Sequence, residues 1–263
     1  MIETLQSLGF TINFEKSVFV PSQRITFFGF VLDSVQFKVF LTEEKVENIK
    51  NFAKKLLDKK YVRIKELASF IGMLINAFYA ILEAPMHYRY LEHDKLKGLR
   101  EHKNFDSTIQ LSPQSIQELK WWYLYVADKN GKYIRQDKIA FTIRTDASLS
   151  GWGAFELYSN RSISGRWKKS ETTFSINYLE LLAVSYALQV LYSDHRNIHI
   201  EIQSDNICAI SYINNMGGRA SIHLDHLARQ IWNWCLERKI FCIRSPYCWQ
   251  IYYTGRFCIQ KFF

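Results

Sequence analysis

The sequence contains little proline, glycine or cysteine. Only four of its 263 residues are proline and eleven are glycine, so it contains no long flexible linker. Its five cysteines are scattered and form no Cys-x-x-Cys pair, which argues against a zinc site or a disulfide framework and favours reduced thiols. No apolar run could span a bilayer, and the start, MIETLQSLGF, lacks the layout of a signal peptide. We therefore expect an intracellular chain, cytoplasmic or nuclear, without a membrane partner.

The composition is that of a folded, basic protein. Apolar residues make up 48% of the chain, which predicts a packed core and excludes a disordered protein. The formal net charge of +9 points towards a polyanionic partner such as nucleic acid. Charge alone is weak evidence, because many basic proteins bind no nucleic acid specifically.

The first half of the sequence predicts short strands followed by helices. Residues 9–40 are rich in β-branched and aromatic residues, with turn signals between short runs. A helix capped by Thr42 follows, and basic residues occupy positions outside its apolar stripe: Lys45, Lys50, Lys54 and Lys55. These lysines are candidates for contacts with nucleic-acid phosphates, and a plain solvated helix face is the alternative.

Two more helices are predicted before a boundary at the Asn130-Gly131 turn. The first has an apolar stripe at Ile64, Leu67, Phe70, Ile71, Leu74, Ile75 and Phe78. The second is capped by Ser112 and has Pro113 in its first turn, where proline is tolerated.

The second half has the pattern of an α/β domain. Three strands (KIAFTIRTDAS, GWGAFELY and SISGRW) precede a long helix, SINYLELLAVSYALQVLY. The strand NIHIEIQSD, two helices and a last strand, IFCIRS, complete the pattern. This order predicts a mixed sheet flanked by helices, in which an antiparallel meander is followed by parallel strands.

Three acidic residues stand out by position in this half. Asp146 and Asp205 each end a strand of the predicted sheet, and Glu180 lies on or beside the apolar stripe of the connecting helix. If the two strands are parallel neighbours, both aspartates lie at the same carboxyl edge. Taken one at a time, Asp146 could be a turn residue, Asp205 a helix N-cap and Glu180 a solvated side chain. Together they predict an acidic cluster that holds hard cations such as Mg²⁺ or Mn²⁺, and two such ions can hydrolyse a phosphodiester.

At these residues the sequence resembles ribonuclease H. TDASLSGWGA, NYLELLA and QSDNICAISYINNMGG are similar to its first three catalytic blocks, particularly in the polyproteins of DIRS-like retroelements. Upstream, INFEKS and FFGFVLD resemble the end of a reverse transcriptase palm with its primer-grip turn, and LTEEKVENIKN and LSPQSIQELKWW resemble the thumb and connection segments. The resemblance divides the chain into a palm remnant (1–40), a helical thumb and connection (41–135), an RNase H-like domain (136–245) and a tail (246–263).

The resemblance also implies roles for single residues. Asp146 would bridge two metal ions, and Glu180 and Asp205 would hold the ion at the leaving group. Asn206 would contact the RNA·DNA hybrid, with capping of the following helix as the alternative. Gly217 and Gly218 would form a turn that nucleic acid can approach, with a plain helix C-cap as the alternative.

Two parts of the family pattern are missing. No Tyr-x-Asp-Asp motif occurs, so we expect no polymerase activity and expect the remainder of the polyprotein upstream. The family's fourth carboxylate is also absent, since residues 246–263 contain neither aspartate nor glutamate. A reading frame shifted by one nucleotide inside the Pro246 codon permits the family's Ala-Asp and Ser-Arg pairs. We interpret this tail as an out-of-frame translation, with an aromatic nucleic-acid-binding tail as the alternative.

Two functions are consistent with the sequence, and a decayed reading frame with no stable product is the remaining alternative. The first is two-metal hydrolysis of the RNA strand of RNA·DNA hybrids, reduced by the missing carboxylate. The second is a catalytically dead remnant of a retrotransposon polyprotein that still binds nucleic acid through phosphate contacts. Whether the chain is an active endonuclease therefore stays open at the level of sequence.

Overall fold

The computed structural model of the chain describes residues 2–134 and 138–243. The interpreted out-of-frame tail, 246–263, lies outside these residues. Within them the helices are α1 Ile2–Ser7, α2 Glu43–Leu57, α3 Ile64–Ala77, α4 Arg89–His102, α5 Pro113–Tyr125, α6 Ile176–Tyr192, α7 Ile207–Asn214 and α8 Ile222–Glu237, with a 3₁₀ helix at Ala84–Met86. The strands are β1 Arg24–Phe27, β2 Phe30–Asp33, β3 Lys38–Leu41, β4 Val62–Arg63, β5 Thr108–Ile109, β6 Lys132–Tyr133, β7 Ile139–Ala147, β8 Gly151–Glu156, β9 Ser162–Arg166, β10 Ile198–Gln203 and β11 Ile240–Ile243.

The first sheet is a small antiparallel meander. β1, β2 and β3 pair in sequence order, and β6 adds to the free edge of β3. The side chain of Asn130 accepts a hydrogen bond from the Leu41 N–H (2.7 Å) and donates one to the Leu41 carbonyl (3.0 Å). The Asn130-Gly131 turn, predicted as a boundary, is therefore fixed to the first sheet.

The helices after this meander begin where the sequence predicts. Thr42 caps α2 by accepting from the Lys45 N–H, and Ser112 caps α5 by accepting from the Ser115 N–H. In α3 the predicted stripe is buried at Ile64, Leu67, Phe70, Ile71 and Leu74, and Phe78, directly after the helix, is half-buried. Ile75 is 45% exposed, and its inclusion in the stripe was wrong, because it lies next to the buried row and not in it. Helix α4 is not among the predicted helices.

The second sheet has five strands in the order β11-β10-β7-β8-β9. β8 pairs antiparallel with both β7 and β9, whereas β10 runs parallel to β7 and β11 parallel to β10. The predicted mixed sheet, with an antiparallel meander followed by parallel additions, is thus confirmed. Strand β7 lies in the centre of the sheet, between β10 and β8.

Helix α6 connects the meander to the parallel strands and is the most deeply buried helix of this half. It packs against β7 and β8 of the sheet and against α7 and α8. Eleven of its residues are buried, including Glu180, so it has no broad solvated face. A carboxylate on such a helix is placed in the interior by the helix itself.

The described residues form two hydrophobic clusters. One is built from the helices of the first half, and its buried residues run from Leu41 to Val126. The other surrounds α6 and the second sheet, and it also includes Met86, which comes from the first half of the chain. We call the two parts the helical unit and the α/β unit. The finer domain boundaries at 40, 135 and 245 stay predictions.

No helix within the described part of the chain has the length and apolar character needed to cross a membrane.

Candidate metal centre at the carboxyl edge of the second sheet

Three elements bring the predicted carboxylates together. Asp146 lies at the end of β7, opposite Gly153 of β8. Asp205 follows β10, which runs parallel to β7, so both aspartates reach the same edge of the sheet. Glu180 projects from α6, which packs on β7. Each of the three offers a carboxylate oxygen that lies within 4.8 Å of the other two.

The cluster is electrostatically incomplete. Glu180 is 4% exposed, and within the described residues its buried Oε2 atom has no hydrogen-bond partner. Burial, together with the nearby charges of Asp146 and Asp205, raises the pKa of Glu180 to about 8. Burial and the charge of Asp205 also raise the pKa of Asp146. A cation between these groups would remove the repulsion and satisfy the orphaned oxygen.

The donor atoms fit a hard divalent cation. All three side chains offer oxygen, and Asp205 is exposed, so the cluster is open to solvent on one side. Oxygen-only donor sets suit Mg²⁺ and Mn²⁺, whereas zinc prefers nitrogen and sulfur. Their role as metal ligands and catalytic residues stays a prediction.

Asn206, next to Asp205, serves the fold directly. Its Oδ1 atom accepts from the Ala209 N–H (2.9 Å) and so caps α7, as the alternative reading predicted. Its Nδ2 atom donates to Oδ1 of Asn177 on α6 (2.9 Å). Sequence reasoning missed Asn177, although it lies one turn before Glu180 on the same helix and could have been found by that spacing. The nucleic-acid role of Asn206 stays a prediction.

The turn after α7 is a helix C-cap of the Schellman type, with Met216 in the left-handed position (φ +50°) and Gly217 directly after it. The Gly217 N–H donates to the Tyr212 carbonyl (2.8 Å) and the Met216 N–H to the Ile213 carbonyl (3.2 Å). Gly217 has a φ of +130°, and a Cβ there would collide with the carboxylate of Asp225. Gly218 donates its N–H to that same carboxylate (2.9 Å). A Cβ on Gly218 would collide with the ring of Tyr212, so packing within the chain accounts for both glycines. An approach of nucleic acid to this turn stays a prediction.

The four lysines of α2 do not share one surface. Lys45 donates to Oδ1 of Asn76 (2.9 Å) and lies over the ring of Phe30, and Lys55 pairs with Glu66 (3.2 Å). Lys54 is exposed and Lys50 is half-buried. Local partners thus hold two of the four, and their predicted phosphate contacts are neither supported nor excluded.

The strand order and the acidic edge define the class of fold: an α/β protein of the RNase H-like type, preceded by a mostly helical region and a short antiparallel sheet. No protein-family model matches the chain, and no curated protein matches it either.

Solved structures that resemble the chain include reverse transcriptases of foamy virus. The protease-reverse transcriptase bound to double-stranded DNA, in a form designated dRH, is 14% identical with a TM-score of 0.36, over 85% of this chain and 38% of that one. The protease-reverse transcriptase bound to an RNA/DNA hybrid is 12% identical with a TM-score of 0.36, over 89% of this chain and 31% of that one. The chain thus spans well under half the length of these proteins. Similarity of this size carries no conclusion about activity.

Proposed function

We propose that the chain is the C-terminal part of a retroelement reverse transcriptase polyprotein, of the DIRS-like group, and that its α/β unit hydrolyses the RNA strand of RNA·DNA hybrids. The observation that carries the proposal is the buried, orphaned carboxylate of Glu180 beside Asp146 and Asp205 at the carboxyl edge of parallel strands. A structural carboxylate would have a donor at that oxygen, whereas a metal ligand keeps it for the ion.

Asp146, Glu180 and Asp205 would hold Mg²⁺ or Mn²⁺ ions, two of them in a complete site. Bound there, the ions supply Lewis acidity that activates water and stabilises the leaving oxygen of a phosphodiester. The chain's own contribution is positional: β7, β10 and α6 fix the three carboxylates before any ligand arrives. Because its pKa is about 8, Glu180 must release a proton from its carboxyl group when the cation binds.

The activity is proposed to be reduced. The family's fourth carboxylate has no counterpart in residues 246–263, which contain no acidic residue. The two ions act as a unit, so a weakened site for one of them lowers the rate steeply. The missing carboxylate also favours the second candidate, a catalytically dead remnant that binds nucleic acid through its net charge of +9.

Cleavage of a labelled RNA·DNA hybrid by the full chain tests the proposal. We expect slow, Mg²⁺-dependent hydrolysis of the RNA strand, loss of hydrolysis in Asp146→Asn, and no cleavage of a DNA duplex. Asp194→Asn is the matched control, because Asp194 is exposed and follows α6 in the same unit. Equal hybrid binding by wild type and Asp146→Asn, with no cleavage by either, would select the binding remnant instead.

A further inference from the structure

A buried ion network connects the two units. Arg229 of α8 uses all three of its guanidinium nitrogens. Nε donates to Oδ2 of Asp225 in the same helix (2.7 Å), and Nη2 donates to Oε1 of Glu118 in α5 (2.9 Å). Nη1 donates to the carbonyl of Met86, at the end of the 3₁₀ helix. The guanidinium also lies over the ring of Tyr90 (4.7 Å). One side chain of the α/β unit thus contacts three segments of the helical unit.

The acidic partners of Arg229 extend the network into both units. Oε2 of Glu118 accepts from the N–H groups of Tyr90 and Leu91 (3.1 Å each), so it caps α4. Oδ1 of Asp225 accepts from the Gly218 N–H (2.9 Å) and thereby holds the turn after α7. Every oxygen and nitrogen of the three charged groups has a partner, which makes the geometry of the network specific.

An apolar contact accompanies these bonds. The side chain of Met86 is buried in the core of the α/β unit, although its backbone belongs to the helical half. The segment around it is held from the other side, because the Trp122 indole N–H donates to the His87 carbonyl (2.6 Å). The segment around Met86 is therefore in contact with both units.

We propose that Arg229 is the joint that holds the α/β unit in one orientation on the helical unit, so that the two move as one rigid body. A buried ion network contributes little net stability compared with apolar packing, but it fixes register because any other arrangement leaves charges unpaired. A surface ion pair lacks this property, since water replaces either partner. The consequence is that the acidic cluster keeps a fixed position relative to the helical unit, whether or not that cluster is catalytic.

Arg229→Met tests the joint, since it keeps a long side chain and removes the charge and the hydrogen-bond fork. The matched control is Arg238→Met. Arg238 also lies over an aromatic ring and pairs with a glutamate, but its partners, Trp234 and Glu237, belong to its own helix. The measurements are scanning calorimetry and small-angle X-ray scattering of the full chain without added metal, so the result is independent of the proposed hydrolysis.

We expect one cooperative transition and one radius of gyration for wild type and for Arg238→Met. Arg229→Met should give two transitions and a larger radius of gyration. The double variant Glu118→Met with Arg229→Met, which removes two of the buried charges together, should keep the two transitions. A single transition with an unchanged radius of gyration in both Arg229 variants would overturn the proposal, and so would two transitions in wild type.

Discussion

Two buried glutamates, Glu118 between the units and Glu180 at the sheet edge, have almost the same exposure and opposite surroundings. Their side chains are 3% and 4% exposed. Burial raises the pKa of both, to about 7 for Glu118 and about 8 for Glu180. Glu118 receives hydrogen bonds from Arg229 and from two backbone N–H groups. Glu180 faces two further carboxylates, and one of its oxygens has no partner within the described residues.

The difference separates a buried acid whose hydrogen bonds the fold completes from one that the fold leaves incomplete. Burial alone raises the pKa of either group and does not distinguish them. What distinguishes them is whether the chain itself supplies the compensating donors. It does so for Glu118, which is complete as folded. For Glu180 it supplies the backbone N–H of Ala147 and two further acids, and the Oε2 atom has no donor within the described residues, which fits a site completed by a cation from solution.

Replacement of Glu118, the buried acid with a full set of donors, should have the largest effect on stability. Both oxygens of Glu118 accept hydrogen bonds, so in Glu118→Gln the amide nitrogen must face either Arg229 or the N–H groups of Tyr90 and Leu91. Burial raises the pKa of Glu118 to about 7, so removal of its charge at pH 8 offsets part of this loss. We expect a net loss of about 3 kcal/mol in the free energy of unfolding by urea, because the guanidinium and the backbone donors stay buried. Glu47→Gln, at an exposed position of α2, should change it by less than about 0.5 kcal/mol. Equal losses in the two variants would remove the distinction drawn above.

Replacement of Glu180, the buried acid that lacks a donor at one oxygen, should instead raise the stability of the metal-free chain. The folded pKa of Glu180 lies above its ordinary value of 4.5, so its contribution to stability is full below that value and is lost as pH rises to about 8. In metal-free buffer we therefore expect Glu180→Gln to be more stable than wild type at pH 8, by on the order of 2–4 kcal/mol, and to lack this part of the pH dependence. The check is chemical denaturation from pH 4 to 9; parallel curves for the two proteins would contradict the electrostatic reading.

A smaller effect on stability is expected from replacement of Asn206, the residue next to Asp205. Asn206→Ala removes the cap of α7 and the bond to Asn177, which should cost about 1 kcal/mol in thermal or urea unfolding. Asn206→Ser keeps a capping oxygen and should recover most of the loss, because serine is as good a cap as asparagine. If serine were as destabilising as alanine, the bond to Asn177 and not the cap would be the important contact.

Local signals explain which helices could be predicted, and for α3, whose N-cap residue Arg63 makes no side-chain cap bond, the apolar stripe was sufficient. Helices α2 and α5 carry their own caps, Thr42 and Ser112, directly before an apolar stripe. Helix α4 does not, since its N-cap residue, Tyr88, makes no side-chain cap bond. Its first turn is capped by Glu118, which comes 27 residues after Leu91 in the sequence. No local reading could connect the two.

The same distinction applies to the candidate site. The meeting of Asp146 and Asp205 follows from the order of strands, because parallel neighbours end at one edge, and it could be predicted without coordinates. The role of Arg229 could not, since it depends on how two separately packed units face each other. The partners of Lys45 and Lys55 were equally hidden: a charge pattern does not reveal which lysines the fold itself uses.

Binding of Mn²⁺ to the metal-free chain, followed by electron paramagnetic resonance at pH 8, tests the central claim most directly. We predict saturable binding to wild type and loss of that binding in Asp146→Asn and Glu180→Gln. Binding should be unchanged in Glu118→Gln, measured in buffer without denaturant, where this variant is folded. Mn²⁺ binding that is the same in wild type and Asp146→Asn, or absent from wild type, would contradict the assignment of the acidic cluster as a metal centre.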